Sequence, residues 1–296
     1  MAAAQELRVA APALPQSPVE YQKSYIDKLN NILRLYFNRL DTAINNTMAT
    51  QVPYNLKVSK GEIAGASSLY KFGYNPDIDT GEETIWTQGG LYTYPAAAAV
   101  RYVSSSNAND TSAGTGARTV VVEGLDDSYV AASETVSLNG QTQVVTVGQF
   151  VRVNRIYVAT AGSGGTAAGT VYVSNSGASS GVPTGDVFAA IVQGENQSQM
   201  GIYTVPAAYS LYIDNVHFTA AISAATNYAT TKLVTRDFGS GVFRTRFINV
   251  MENSQLTNDF EYPLKISAKT DIECRALASV SNNNVSASFE GALILD

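Results

Sequence analysis

Few side chains in this chain could act together in a chemical reaction. Ser179 lies in the pattern Gly177-Ala-Ser-Ser-Gly181, which has the letters of a hydrolase nucleophile elbow, and His217 with Asp214 is the one acid–base pair available to it. An elbow needs a sharp strand-to-helix turn, whereas this serine lies in a glycine- and serine-rich segment between predicted strands. The pattern therefore predicts a turn, and we expect the chain not to be an enzyme.

A second group of side chains could hold a cation. Asn75, Asp77 and Asp79 place oxygen atoms at alternate positions, but an EF-hand loop would need glycine and glutamate where the chain has Thr80 and Trp86. An Asx turn is the simpler interpretation, and a calcium site of another kind stays open as an alternative. With one histidine and one cysteine the chain cannot build a zinc site of nitrogen and sulfur ligands. We expect no cofactor and no metal.

Aromatic and acidic side chains leave two further alternatives. Trp86, Tyr92 and Tyr94 occur close together and could form a platform on which a glycan stacks, although tyrosines in a β protein also serve as cross-strand neighbours. The adjacent carboxylate pairs, Asp126 with Asp127 and Glu82 with Glu83, do not suit polysaccharide hydrolysis, because neighbouring residues do not face one another across a substrate.

The overall composition excludes several classes of partner. The net charge is −6 and the basic residues are not clustered, so we expect no nucleic acid, which requires grouped cations. No apolar run is long enough for a membrane span, and we expect no membrane partner. Only 15% of residues are charged, which favours a surface that contacts other protein copies. The single cysteine, Cys274, is predicted to be a small buried hydrophobic residue.

The chain divides into four predicted parts. Residues 1–18 are rich in proline and alanine and should form an extended arm. Residues 19–46 should form one long helix, with Ser17-Pro18 at its start, and residues 47–69 a linker with one or two short strands. From 70 to 296 the pattern predicts only strands.

The predicted helix carries more apolar side chains than one packing face needs. Its apolar residues follow a spacing of three and four, with further apolar side chains beside that seam, which is typical of a bundle or coiled coil. Two alternatives stay open: the helix packs on its own β domain, or it packs against other copies or a larger scaffold. The predicted oligomer or anchor interface consists of Ile26, Leu29, Leu33, Tyr36, Phe37 and Leu40.

The β region alternates β-branched runs with small-residue turns. Predicted strands recur about every 10–15 residues with glycine, asparagine and serine between them, which favours a β-sandwich of jelly-roll type. The turns 104–117, 161–169 and 175–181 are predicted to make subunit contacts or an outer tip. The fold class is therefore mainly β, with a jelly-roll-like sandwich preceded by the arm and the helix.

Several segments resemble proteins of one class. They are Lys71–Asp79 leading to Glu83–Trp86, Ser106–Val120, Glu134–Gly140, Thr160–Gly165, Gly194–Met200 and Ile202–Pro206. Together they resemble a module of tailed-phage virion structural proteins, of the kind found in marine phages and cyanophages. The segment Ser24–Asp41 is similar to a helical segment of other phage structural proteins.

This resemblance implies a virion location, reached by assembly in the host cytoplasm, and transfers no catalytic residue. The leading hypothesis is a non-enzymatic capsid decoration or cement protein, or a head fibre, that acts as a homotrimer. Its partners would be copies of itself and the major capsid protein or other virion proteins, with the arm and helix anchoring it to the shell. The alternatives are a tail-associated fibre or adaptor and a host-glycan-binding module of the virion.

Overall fold

The computed structural model describes residues 12–16, 19–20, 22–49, 52–222, 224 and 226–296. The chain divides into two compact units, residues 1–62 and residues 63–296. In its described residues the first unit contains two helices, and the regular structure of the second consists of β-strands.

The first unit contains helix α1 (Lys23–Ala49) and the short helix α2 (Tyr54–Ser59). Helix α1 begins four residues later than predicted, since Gln22 supplies the first carbonyl that accepts from the helix, and it continues past the predicted end at 46. No glycine or proline interrupts the chain between 46 and 49, so the helix has no reason to stop there.

The predicted linker 47–69 differs from the structure in two ways. It contains a helical turn, α2, because Pro53 has the backbone φ with which a helix starts, and it gives up its last residues to a strand that begins at Ala66. The described part of the predicted arm, residues 12–16, has no regular structure, and the Tyr25 hydroxyl donates to the Pro15 carbonyl. The remainder of the arm, including the predicted cap at Ser17-Pro18, lies outside the described residues.

The second unit contains eighteen strands in its described residues. Their bounds are β1 Ala66–Ile78, β2 Glu83–Thr84, β3 Tyr102–Ser105, β4 Ala117–Leu125, β5 Ala131–Ser137, β6 Val144–Val145, β7 Arg152–Ala161, β8 Val171–Ser174, β9 Ala178–Ser179, β10 Val182–Pro183, β11 Val187–Ile191, β12 Ile202–Thr204, β13 Tyr209–Ala221, β14 Ala229–Arg236, β15 Phe243–Met251, β16 Ser254–Ile266, β17 Asp271–Ala278 and β18 Asn283–Leu295.

Eight of these strands form a jelly roll, as the alternating pattern predicted. One sheet has the order β1-β18-β13-β16 and the other has the order β12-β17-β14-β15, with every pair antiparallel. Counted along the chain, the eight strands thus lie in the orders 1-8-3-6 and 2-7-4-5, the double Greek key of a jelly roll. Their facing sides enclose one core that includes Phe218, Phe289 and the buried thiol of Cys274, as predicted for this cysteine.

Strands β3–β11 form an insertion between the first and second strands of the jelly roll, whereas the short strand β2 pairs with β17 and adds to the second jelly-roll sheet. The insertion has a four-stranded sheet, β11-β8-β3-β6, a three-stranded sheet, β5-β4-β7, and the hairpin β9–β10. Its own core includes Trp86, Phe150, Ile156 and Phe188. The prediction of one sandwich over 70–296 is therefore incomplete, because the region has two cores, each enclosed by its own sheets.

A buried carboxylate organises the glycine-rich turns of the insertion. Asp110 accepts hydrogen bonds from the backbone amides of Ala117, Ala168 and Gly169 and from the Ser105 hydroxyl, at 2.6–2.8 Å. A fully buried carboxylate is tolerated when its oxygens are satisfied in this way. The predicted loops 104–117 and 161–169 are thus parts of one ordered structure.

The third glycine-rich segment forms the hairpin β9–β10. Ser180 and Gly181 occupy the turn with φ values of 48° and 82°, so both central residues have the positive φ of a type I′ turn. A β-carbon at Gly181 would lie 1.8 Å from the Ser105 carbonyl oxygen, so glycine is required there. This geometry is a tight strand-to-strand turn, and no helix follows it.

Candidate functional site

The predicted glycan platform is wrong for two of its three residues. The rings of Trp86 and Tyr92 are buried in the core of the insertion and meet edge to face, with centroids 5.2 Å apart. Buried rings present no face to a sugar. Tyr94 is half-buried and continues the stack at 4.8 Å from Tyr92, so it alone reaches a surface cleft. The aromatic residues in this part of the sequence could have formed either a core or a platform. In the structure they pack in the core of the insertion.

The candidate triad residues do not form a triad in the described structure. His217 lies on β13, and its Nδ1 atom is 2.7 Å from the Thr257 hydroxyl of the neighbouring strand β16. Ser179 lies on β9 in the insertion, and no hydrogen bond joins it to His217 or Asp214 among the described residues. Burial, and then the charge of the neighbouring Glu290, raise the pKa of Asp214.

The acidic loop after β1 uses its oxygens internally. Asn75 forms the expected Asx turn by accepting from the Asp77 amide at 2.9 Å. Glu83 accepts from the amides of Asp79 and Gly90 and from the Asn75 side chain. Within the residues that the structure describes, no group of three or more histidine, cysteine or acidic side chains is placed to hold a metal ion.

The predicted interface residues of α1 are not buried in the described chain. Ile26, Leu29, Leu33, Tyr36 and Leu40 are half-buried, and Phe37 is 56% exposed. Leu35 and Ile44 add further exposed apolar surface to the same helix. The helix thus leaves apolar side chains open on more than one face. No described helix is long and apolar enough to cross a membrane.

A partly buried cluster of charges lies where the insertion meets the jelly roll. Asp271, at the start of β17, is buried and accepts hydrogen bonds from Arg152, Arg236 and the Thr204 hydroxyl at 2.6–3.1 Å. Arg152 belongs to β7 of the insertion, whereas Arg236, Thr204 and Asp271 belong to the jelly roll. Burial lowers the pKa of Arg152, but the hydrogen bonds and charge of Asp271 outweigh it and raise that pKa.

Two further contacts of β7 complete this junction. The Asn154 side chain both donates to the Thr204 carbonyl and accepts from the Thr204 amide, which ties β7 to β12. The Lys71 ammonium on β1 donates to the Asn154 carbonyl at 2.6 Å. Burial, and then the charge of Arg155, lower the pKa of Lys71 to about 7. This junction contains a lysine with no carboxylate bonded to it in the described chain.

A cleft of about 380 Å³ opens beside Asp271. The insertion contributes Tyr94, Pro95, Ala96, Tyr129 and Arg152, and the jelly roll contributes Arg236, Asp237, Phe238, Gly239, Gly241, Lys269 and Asp271. The Arg236 guanidinium lies 4.2 Å from the centre of the Tyr94 ring, and the Arg152 guanidinium lies 5.0 Å from it. The cleft combines cations with aromatic rings, an arrangement that suits binding of an anionic or aromatic-stacking ligand.

Sequence reasoning missed this cleft because its residues come from distant parts of the chain. Arg152 and Asp271 are 119 positions apart, and only the folding of the insertion onto the jelly roll brings them together. One weak signal was present: a strand is predicted over 228–236, and Arg236 ends it shortly after the apolar residues Leu233 and Val234. Nothing local indicates that the partner is Asp271.

Comparisons with known proteins give little. No family model and no curated protein matches the chain. The solved structures that match include infectious bursal disease virus of the Gx strain, at 10% identity and a TM-score of 0.23 over 83% of this chain and 78% of that one. Another is the VP2 subviral particle of infectious bursal disease virus, at 9% identity and a TM-score of 0.22 over the same shares. TM-scores this low do not establish a shared fold, so the jelly-roll assignment depends on the strand order alone.

The lowered pKa of Lys71 predicts a particular dependence of stability on pH. Between about pH 7 and 10 the unfolded chain binds a proton at this side chain that the folded chain does not bind, so the free energy of unfolding rises with pH in that window. The rise from this group between pH 7 and 9.5 is on the order of 3 kcal/mol. Urea unfolding at the two pH values measures it.

The variant Lys71→Met should lose this rise, since methionine fills similar space without titrating. The exposed residue Lys265 gives the control, Lys265→Met, which removes a charge from the surface and should keep the rise. An equal rise in Lys71→Met and in the unchanged protein would contradict the assignment.

Proposed function

We propose that this chain is a non-enzymatic virion structural protein that decorates or cements a phage capsid. The observation that carries the proposal is the unburied apolar surface of α1, which lies in a unit separate from a complete β unit. A solvated helix does not carry apolar side chains on several faces, so this surface needs a partner. The resemblance of the sequence segments to virion proteins of tailed phages supplies the kind of partner.

The jelly roll is compatible with this function but does not decide it. Jelly rolls occur in viral capsid proteins and in lectins, and one fold hosts many functions. The described structure has charged networks that hold strands together, such as Glu273, which accepts hydrogen bonds from Thr84 and Arg275. These features favour a static, assembling role over a catalytic one.

Attachment through α1 would work by burying apolar area on the shell. Each leucine or phenylalanine that becomes fully covered contributes about 1.5–3 kcal/mol. Ordering of the chain offsets part of that gain, but a repeating shell multiplies the number of attached copies. Modest affinity per copy then gives a long residence on the particle.

Attachment through α1 is tested by replacing two seam residues together in the full chain, Leu29→Glu and Leu33→Glu. Two charges in a covered apolar seam should reduce incorporation into particles by at least about tenfold, since 1.4 kcal/mol is one factor of ten. The measurement is the amount of protein that co-sediments with purified particles. Circular dichroism checks that the β unit is intact.

The matched control for the helix test is Asn38→Glu, on an exposed position of α1. This variant adds a charge away from the seam and should be incorporated normally. Normal incorporation of the double seam variant would contradict attachment through α1. A copy number that matches the shell subunits supports decoration, whereas the few copies of a tail ring would favour the tail-associated alternative.

Self-association, as a homotrimer, is the second part of the proposal and has its own support. Strands β15 and β16 are edge strands of the two sheets, and an edge strand has unpaired backbone groups. They expose Ile248, Val250 and Tyr262, at 56%, 60% and 82%. Such a long apolar edge is an aggregation hazard for a monomer and a suitable contact for an ordered oligomer.

Charge is complementary along the same edge. The exposed residue Arg246 on β15 and the exposed residues Asp259 and Glu261 on β16 form no ion pair within the described chain. In a ring of copies, β15 of one copy can meet β16 of the next, so that opposite charges face each other.

Light scattering should therefore give a mass of three chains of 31.4 kDa. Val250→Lys should shift the mass toward one chain, because it places a charge in the apolar contact. The control Val147→Lys, at another exposed valine, should keep the mass of three chains. A monomeric full chain would contradict self-association.

A further inference from the structure

We propose that the cleft between Tyr129, Phe238 and Lys269 binds a carboxylate-bearing saccharide. The proposal goes beyond a structural role, and it concerns residues other than the buried rings of Trp86 and Tyr92. Its elements are an unpaired cation, aromatic walls and a strained backbone, all in one concave site.

Lys269 supplies the cation. Its ammonium lies 5.0 Å from the centre of the Phe238 ring and 5.5 Å from that of Tyr129, and it forms no hydrogen bond or ion pair within the described residues. Cation–π contacts leave the three N–H donors of an ammonium without acceptors. A carboxylate that enters the cleft would accept from them and complete the site.

The charges of the cleft do not cancel. Asp271 pairs with both Arg152 and Arg236, which leaves one positive charge in excess there, and Asp237 pairs with Arg244. With the ammonium of Lys269 the cleft is therefore net positive, and this sign favours an anionic ligand.

The rings supply surface for the apolar face of a sugar. Phe238 is 59% exposed, which is unusual for a phenylalanine, and its ring meets that of Tyr129 edge to face at 5.3 Å. Tyr94 lies beneath the Arg236 guanidinium and holds that cation at the cleft. A pyranose ring has C–H groups on one face, which pack on aromatic rings while its hydroxyls stay in water.

The backbone around the cleft is held in uncommon conformations. Tyr129 and Lys269 have φ values of 65° and 61°, in the left-handed region that bulky residues seldom adopt. Both residues line the same cleft, and strain of this kind concentrates at ligand sites, where it fixes side chains in place. The glycines at 239 and 241, with φ of 75° and 66°, shape the loop that carries Phe238.

The size of the cleft agrees with a small ligand. A volume of about 380 Å³ falls in the lower part of the range for small-molecule sites, which is about 300–1,000 Å³. The cleft is open to solvent, so a sugar unit at the end of or within a longer chain can enter. The required chemistry is a carboxylate next to a pyranose ring, which uronic acids and sialic acids share.

The experiment titrates the full chain with trigalacturonate, with its fully methyl-esterified form and with 3′-sialyllactose against lactose, by calorimetry or ligand-observed NMR. We expect at least one acidic saccharide to bind, and its neutral counterpart to bind at least tenfold more weakly. Binding of trigalacturonate alone identifies a uronate site, and binding of sialyllactose alone identifies a sialic acid site. No binding of either acid at low-millimolar concentration, or equal binding of the acidic and neutral forms, overturns the proposal.

Variants locate the site. Lys269→Gln removes the charge and leaves a polar side chain one atom shorter, and it should weaken binding of the acidic saccharide at least tenfold. Phe238→Ala should weaken binding by a similar factor through the lost ring. The controls Lys265→Gln on β16 and Tyr70→Ala on β1, both at exposed positions, should bind as the unchanged protein does. Binding that survives both cleft variants would place the sugar elsewhere and overturn the assignment of the cleft. This outcome is independent of particle incorporation through α1.

Discussion

The buried carboxylate of Asp271 is the interaction on which the arrangement of the β unit depends. It lies in the jelly roll, yet one of the two guanidinium groups that neutralise it belongs to the insertion. A carboxylate removed from water needs paired and hydrogen-bonded partners, and β7 supplies one of them to the jelly roll. The insertion is thus attached by a buried ion pair as well as by the backbone at its two ends.

Other carboxylates of the β unit also order the chain around them by accepting hydrogen bonds. Asp110, Glu83 and Glu134 each accept backbone amides from turns that have few side chains to pack. Turns built of glycine, serine and alanine bury little apolar area, so hydrogen bonds to a carboxylate must give them their order. Low charge in the sequence therefore does not mean that charge is unimportant. A large share of the acidic side chains described above are structural acceptors.

The sequence predicted the helix and the strands better than it predicted how the strands are arranged in sheets and cores. The residue pattern predicts a strand near 209–221, which agrees with β13, and helix α1 came within a few residues of its observed bounds. Two levels of the structure were not predictable. Strands of a jelly roll and strands of an insertion have the same alternation, so the two cores could not be separated from the pattern. The environment of an aromatic residue is decided by packing, so Trp86 and Tyr92 could be read as a platform although they are core. To predict the cleft, one would have had to know both where the two cores divide and which aromatic residues are buried.

The most direct test of this account is hydrogen exchange of the full chain carrying Asp271→Asn, measured by mass spectrometry. Loss of the charge leaves Arg152 and Arg236 without a neutralising partner in a buried site, which costs on the order of 3–5 kcal/mol. The account predicts faster exchange in β7, in β12 and in the loops around Tyr129 and Phe238, with β16 as an internal reference that changes less. Unchanged exchange at β7 and β12 would contradict the claim that Asp271 holds the insertion on the jelly roll.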